Sequence, residues 1–131
     1  MSPHQAIAIG AASGALSVVL GAFGAHALEA RLAPEDLALW ETAVHYQALH
    51  AVALILFGLF AERHTCRAIA STCFIAGAAV FSGTLYGIAL GGPSWLGAIT
   101  PIGGTLLIAG WLAFAWAAVR GRHKIDPEQR R

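Results

Sequence analysis

AIAIGAASGALSVVLGAFGAHAL, residues 6–28, contains no Asp, Glu, Lys or Arg. At ~1.5 Å per residue, a helix of this length exceeds the ~30 Å hydrocarbon layer of a bilayer. A buried helix of a water-soluble core is seldom apolar over such a distance, so the stretch predicts a membrane span. Ala25-His26-Ala27 imitates the small-x-small site of a secretory signal, but neither Lys nor Arg precedes the apolar run. The segment is therefore expected to persist as a helix.

The same reading extends along the chain. Pro34-Glu35-Asp36 reads as a helix start, with proline in the first turn and acids at the positive end of the dipole. The helical pattern then runs to about Glu62, so residues 34–40 are expected to project outward as an extension of a span over 41–60, with Trp40 at the interface. Arg63, His64 and Arg67 break the pattern, and 68–90 is again uncharged. Gly91-Gly92-Pro93-Ser94-Trp95 predicts a turn. Thr100-Pro101 then reads as an N-cap and first helical residue opening a span over 101–119. The expectation is an all-α integral membrane four-helix bundle, with residues 1–131 forming a single transmembrane domain.

Composition agrees. The chain is 57% hydrophobic and only 11% charged, against roughly 25% charged in soluble domains. The few charges crowd into short segments between the uncharged runs, a pattern of membrane topology that argues against nucleic-acid binding. Arg63, Arg67, Arg120, Arg122, Lys124, Arg130 and Arg131 fall on one side, and Arg31 stands alone on the other. That bias predicts both termini in the cytoplasm, N-in/C-in. Cys66 and Cys73 lie seven apart at the inner end of the third span, about two helical turns from each other, and are expected to stay reduced.

Helices in lipid associate where small residues let their backbones approach. Gly10, Gly14, Ser17, Gly21 and Gly24 form such a stripe in the first span, Gly77, Gly83 and Gly87 mark the third, and Gly103 and Gly110 the fourth. Gly83, Gly87 and Gly91, spaced by four, would equally serve self-association, so a homo-oligomer is one expected partner arrangement.

Placed by depth, the polar residues gather in the outer half. His50 falls near the midplane. Gln47 lies about a turn further out, level with Ser82 and Thr84, while Tyr46, Tyr86, His26 and Thr100 come nearer the outer surface. His45 points away from Gln47, beside Glu41. An ionisable group at such depth suggests a functional site, although a neutral imidazole also links helices by donating one hydrogen bond and accepting another. No HxxxH or CxxC is present and no carboxylate lies deep within a span, so no metal site or catalytic residue is expected. His26 with His50 is the only pair that haem or a metal could use, and quinone fits slightly better. No cofactor is predicted.

Gly21-Ala22-Phe23-Gly24-Ala25-His26-Ala27-Leu28, Thr42-Ala43-Val44-His45-Tyr46-Gln47 with His50, Phe81-Ser82-Gly83-Thr84-Leu85-Tyr86, and Gly97-Ala98-Ile99-Thr100-Pro101-Ile102-Gly103-Gly104 together resemble the domain-of-unknown-function 423 family. That family of small membrane proteins includes the YgdD-like bacterial inner-membrane proteins and is similar to the animal transmembrane protein 256. The resemblance covers nearly the whole chain. It implies a multi-spanning protein of the bacterial inner membrane and no particular activity.

Two function classes follow. The first is a non-enzymatic binding or interaction module with an outer-half polar cleft lined by His26, Gln47, His50, Thr84 and Tyr86, taking a small ligand, a lipid or a partner helix. The alternative is a small transporter or channel subunit with an intramembrane His proton or ion site; a quinone- or haem-binding redox subunit ranks below both. A transporter needs a polar route to both faces, and the inner half offers only Ser13, Ser17, Ser71, Thr72 and Cys73, which favours the binding module.

Overall fold

A computed structural model describes residues 1–60 and 64–121. These residues are helical throughout apart from short turns, and four helices are long and apolar enough to cross a membrane. We label them α1 (Pro3–Phe23, prolonged by a π-helical turn at Gly24–Leu28), α2 (Pro34–Phe60), α3 (His64–Ala89) and α4 (Leu96–Gly121).

Local chemistry sets most helix ends. Ser2 and Gln5 close a capping box, Ser2 Oγ accepting from Gln5 N at 3.1 Å and Gln5 Oε1 from Ser2 N at 2.8 Å. Pro3 follows inside the first turn, where its missing N–H has no cost. In α2, Pro34, Glu35 and Asp36 occupy the first turn as the sequence predicts. α3 ends on Gly91 at φ +83°. Gly91 N donates to Ile88 O and Gly92 N to Gly87 O, the paired bonds of a Schellman stop, which requires the left-handed conformation that glycine adopts readily.

The start of α4 corrects the sequence reading. Thr100 is not an N-cap and Pro101 is not the first helical residue: the helix begins at Leu96, with Pro101 inside it. Turn bonds from Leu96, Gly97 and Ala98 to Pro93, Ser94 and Trp95 nucleate the helix early. Proline is tolerated there because it forfeits only one early backbone bond, while Thr100 Oγ1 donates back to Leu96 O.

The main pairings follow chain order, α1 with α2, α2 with α3, and α3 with α4. α2 and α3 are the most enclosed helices, whereas α1 and α4 leave most of their surface outward. Two packed clusters result. Leu28, Trp40 and Ala89 form the outer-end core with Leu20, Val44 and Tyr86, and Ala53, Phe74 and Leu107 form the middle with Phe81 and Phe114. Trp40 belongs to the outer-end cluster. It is buried inside the protein, its ring against Gly24 and Tyr86, and its indole N–H donates to Leu20 O at 2.9 Å.

The small residues divide by use. A Cβ on Gly10, Gly24, Gly77, Gly103 or Gly110 would come within 3.0 Å of a neighbouring helix. At Gly103 the obstacle is the backbone N of Phe81, at 2.5 Å. Gly14 and Gly21 sit at ordinary contact distance from Ala51 and Val44, and Ser17 is buried, its hydroxyl donating to Gly14 O. Gly87 meets only the flexible end of Leu96, and Gly83 faces open space. The side chains of Cys66, Arg67 and Arg120, and the residues Arg63, Arg122, Lys124, Arg130 and Arg131 that carry most of the charge bias, lie outside the described part. Cys73 is half-buried.

Candidate functional site

α1 and α3 both flank α2 on one side without closing on each other, which leaves a groove of about 340 Å³. This volume falls within the ~300–1,000 Å³ of small-molecule sites. Its walls are Ile9, Ser13, Leu16 and Leu20 of α1 and Phe74, Ile75, Ala78, Ala79, Ser82, Gly83 and Tyr86 of α3, and its floor is Gln47, His50, Ala51 and Leu54 of α2. Ile9, Leu16, Ala79 and Gly83 at the rim are exposed. The groove therefore opens sideways between two membrane helices, not at their ends.

The polar part of this surface is built around Gln47, which is buried. Its Nε2 donates to Ser13 O at 3.1 Å, and its Oε1 accepts from the Tyr86 hydroxyl at 2.9 Å. A backbone carbonyl can only accept, so Ser13 O fixes which end of the amide is nitrogen. One side chain thus ties α2 to both walls of the groove. Ser82 adds a second tie between α2 and α3, its hydroxyl donating to Ala43 O at 2.9 Å.

His50 lies at the groove floor but directs its nitrogens elsewhere. Nδ1 sits 2.8 Å from Tyr46 O, an acceptor, so Nδ1 carries the proton. Nε2 accepts from the indole N–H of Trp111 in α4 at 3.1 Å. Both nitrogens are satisfied in one neutral tautomer. The ring is enclosed by Tyr46, Phe74 and Trp111. A second proton on Nε2 would point at the indole N–H, with no acceptor to meet it.

The remaining predicted residues separate. Thr84 and Thr100 lie at the α3–α4 contact, their hydroxyls 2.8 Å apart, so Thr84 belongs to that seam and not to the cleft. Tyr46 packs on Phe81 and His50, away from the groove lining. His26 is exposed and does not line the groove. It lies two residues from each of the buried Gly24 and Leu28, so the helical turn carries it to the opposite face. Depth places His26 with the polar group, and rotation about the helix removes it. With His26 turned away, the one pair considered for haem or a metal does not converge, and among the described residues no group of three or more His, Cys, Asp or Glu could hold a metal ion.

Two contributors escape the sequence reading. Trp111 carries no local signal of a polar role, and only its pairing with His50 across α2 and α4 reveals one. Ser13 falls among the inner-half polar residues by depth. Its spacing of three from Gly10 and four from Ser17 sets it beside the α1 stripe, a phase that could flag it.

Residues 20–104 match the model of a family described as a protein of unknown function, DUF423. The chain is 45% identical over 107 residues to a UPF0382 membrane protein of Staphylococcus haemolyticus, covering 81% of this chain and 88% of that one. It is 38% identical to the UPF0382 membrane protein YwdK of Bacillus subtilis, covering 87% and 95%. With the UPF0382 inner membrane protein YgdD of Escherichia coli it shares 32% identity, covering 95% and 96%. No solved structure matches the chain.

Proposed function

The chain belongs to the DUF423 family of membrane proteins of unknown function, and we propose that it is a non-enzymatic binding module whose α1–α3 groove takes an apolar molecule entering from the bilayer. The observation that carries this reading is the groove of about 340 Å³, walled mainly by apolar side chains, open at mid-height and floored by a buried Gln47. A bilayer-facing mouth admits molecules dissolved in lipid, and a polar group in a mainly apolar groove supplies orientation.

The transporter reading has less behind it. His50 has both nitrogens engaged, by Tyr46 O and by Trp111, which gives a relayed proton no onward acceptor. The relatives' names and the Lys and Arg bias support a bacterial inner-membrane location with both termini cytoplasmic.

The test is native mass spectrometry of gently extracted protein, compared with a Gly83→Leu variant. A Cβ on Gly83 would meet no atom within 4 Å, and the residue stands at the groove rim, so a leucine side chain starts out into the open mouth. The expected result is a retained apolar molecule on the native chain and its loss from the variant. Equal adducts on both, or none on either, would remove the reading.

A further inference from the structure

We infer that the groove recognises the oxygen of an uncharged ketone or quinone carbonyl borne on a long apolar chain. This rests on the groove being a binding site, as proposed above, and adds what its polar end selects. An amide NH2 carries two hydrogens, and Gln47 spends one on Ser13 O. The other has no partner among the described residues, and neither has the Ser13 hydroxyl. The other donors nearby have spent their hydrogens: the Tyr86 hydroxyl donates to Gln47 Oε1 and the Ser82 hydroxyl to Ala43 O. The unspent donors are thus two hydrogens on residues that line one apolar groove, and a carbonyl oxygen has two lone pairs to receive them.

Charge narrows the class. Among the described residues no Lys, Arg, Asp or Glu lines the groove, and His50 has no nitrogen to spare. A carboxylate or phosphate there would be a charge taken from water without a counter-ion. Depth narrows it again. Gln47 lies six residues inward of Glu41, ~9 Å along α2 at ~1.5 Å per residue. The ester carbonyls of bilayer phospholipids stay near the headgroups, whereas a neutral ketone or quinone travels within the hydrocarbon and reaches this level.

The experiment uses the full chain in phosphatidylcholine nanodiscs, titrated with a long-chain methyl ketone carrying a 13C carbonyl, with the alkane of equal length, and with a decyl-substituted benzoquinone. Binding is read by native mass spectrometry and the carbonyl stretch by infrared spectroscopy. The ketone should bind about tenfold more tightly than the alkane, the equivalent of one or two hydrogen bonds, with its stretch shifted to lower frequency. Ser13→Ala, which removes a hydroxyl with no partner among the described residues, should cut the preference for ketone over alkane about threefold, the Gln47 hydrogen accounting for the rest. A quinone that displaces the ketone identifies the ring carbonyl as the preferred source, and one that fails to displace it identifies the chain ketone. Equal binding of ketone and alkane would overturn the carbonyl inference while leaving the groove intact. If neither binds, the groove reading itself falls.

Discussion

The two flanks of the α2–α3 pair solve the same packing problem in opposite ways. On the α4 side, Gly77, Gly103 and Gly110 bring backbones so close that Leu107, Phe81 and Phe74 occupy the space where side chains would stand. On the α1 side, Gly83 meets nothing within 4 Å, and the opening beside it is spanned by the hydrogen bonds of Gln47. Glycine makes a seam between α3 and α4, as Gly10 and Gly24 do between α1 and α2, and leaves a gap between α1 and α3. The difference teaches that a smooth helix face in lipid is only permission for contact, and that the facing side chains decide whether contact follows.

Substitutions separate the two flanks by size of effect. Gly103→Ala should be the most damaging, at about 3 kcal/mol or more, because the new methyl meets the backbone of Phe81, which cannot rotate away. Equilibrium unfolding in mixed micelles would measure it, and a loss below about 1 kcal/mol would break the seam account. Gln47→Leu comes next, at about 2 kcal/mol, since it leaves Ser13 and Tyr86 without the amide that joins them. Cysteine crosslinks between α1 and α3 should then report a wider spread of distances. Trp111→Phe should cost about 1 kcal/mol by orphaning His50 Nε2. Nitrogen NMR of the native chain should show the proton on Nδ1, and a proton found on Nε2 would refute the Trp111 bond. Gly83→Ala should change stability by less than about 0.5 kcal/mol, because the methyl enters open space. A large loss there would mean that the groove is closed in the membrane.

The helices themselves are legible because charge is excluded from long runs, a constraint that acts residue by residue. The start of α4 is not, since Thr100-Pro101 carries a cap signature while the actual start depends on turn bonds around Pro93 to Trp95. Depth within the membrane can be counted from the sequence, and it places Gln47, His50, Ser82 and Tyr86 at neighbouring levels. Rotation about each axis decides the rest. Thr84 turns to Thr100, His26 turns outward, and the partner of His50 lies on a helix whose phase no local signal fixes. The choice of which small-residue faces meet is a tertiary one, and three spans offer such faces.

The wide turn at Gly24–Leu28 bears on how this chain tolerates changes in length. A π-turn accommodates one residue more than the α-turn it interrupts. Removing a single residue there would restore ordinary winding while the stretch from Gly10 to Leu20 kept its alignment with α2. Shortening at this joint should therefore be absorbed locally, whereas the same deletion near Ser13 would rotate everything beyond it by a quarter-turn or more and uncouple the helix from its neighbour.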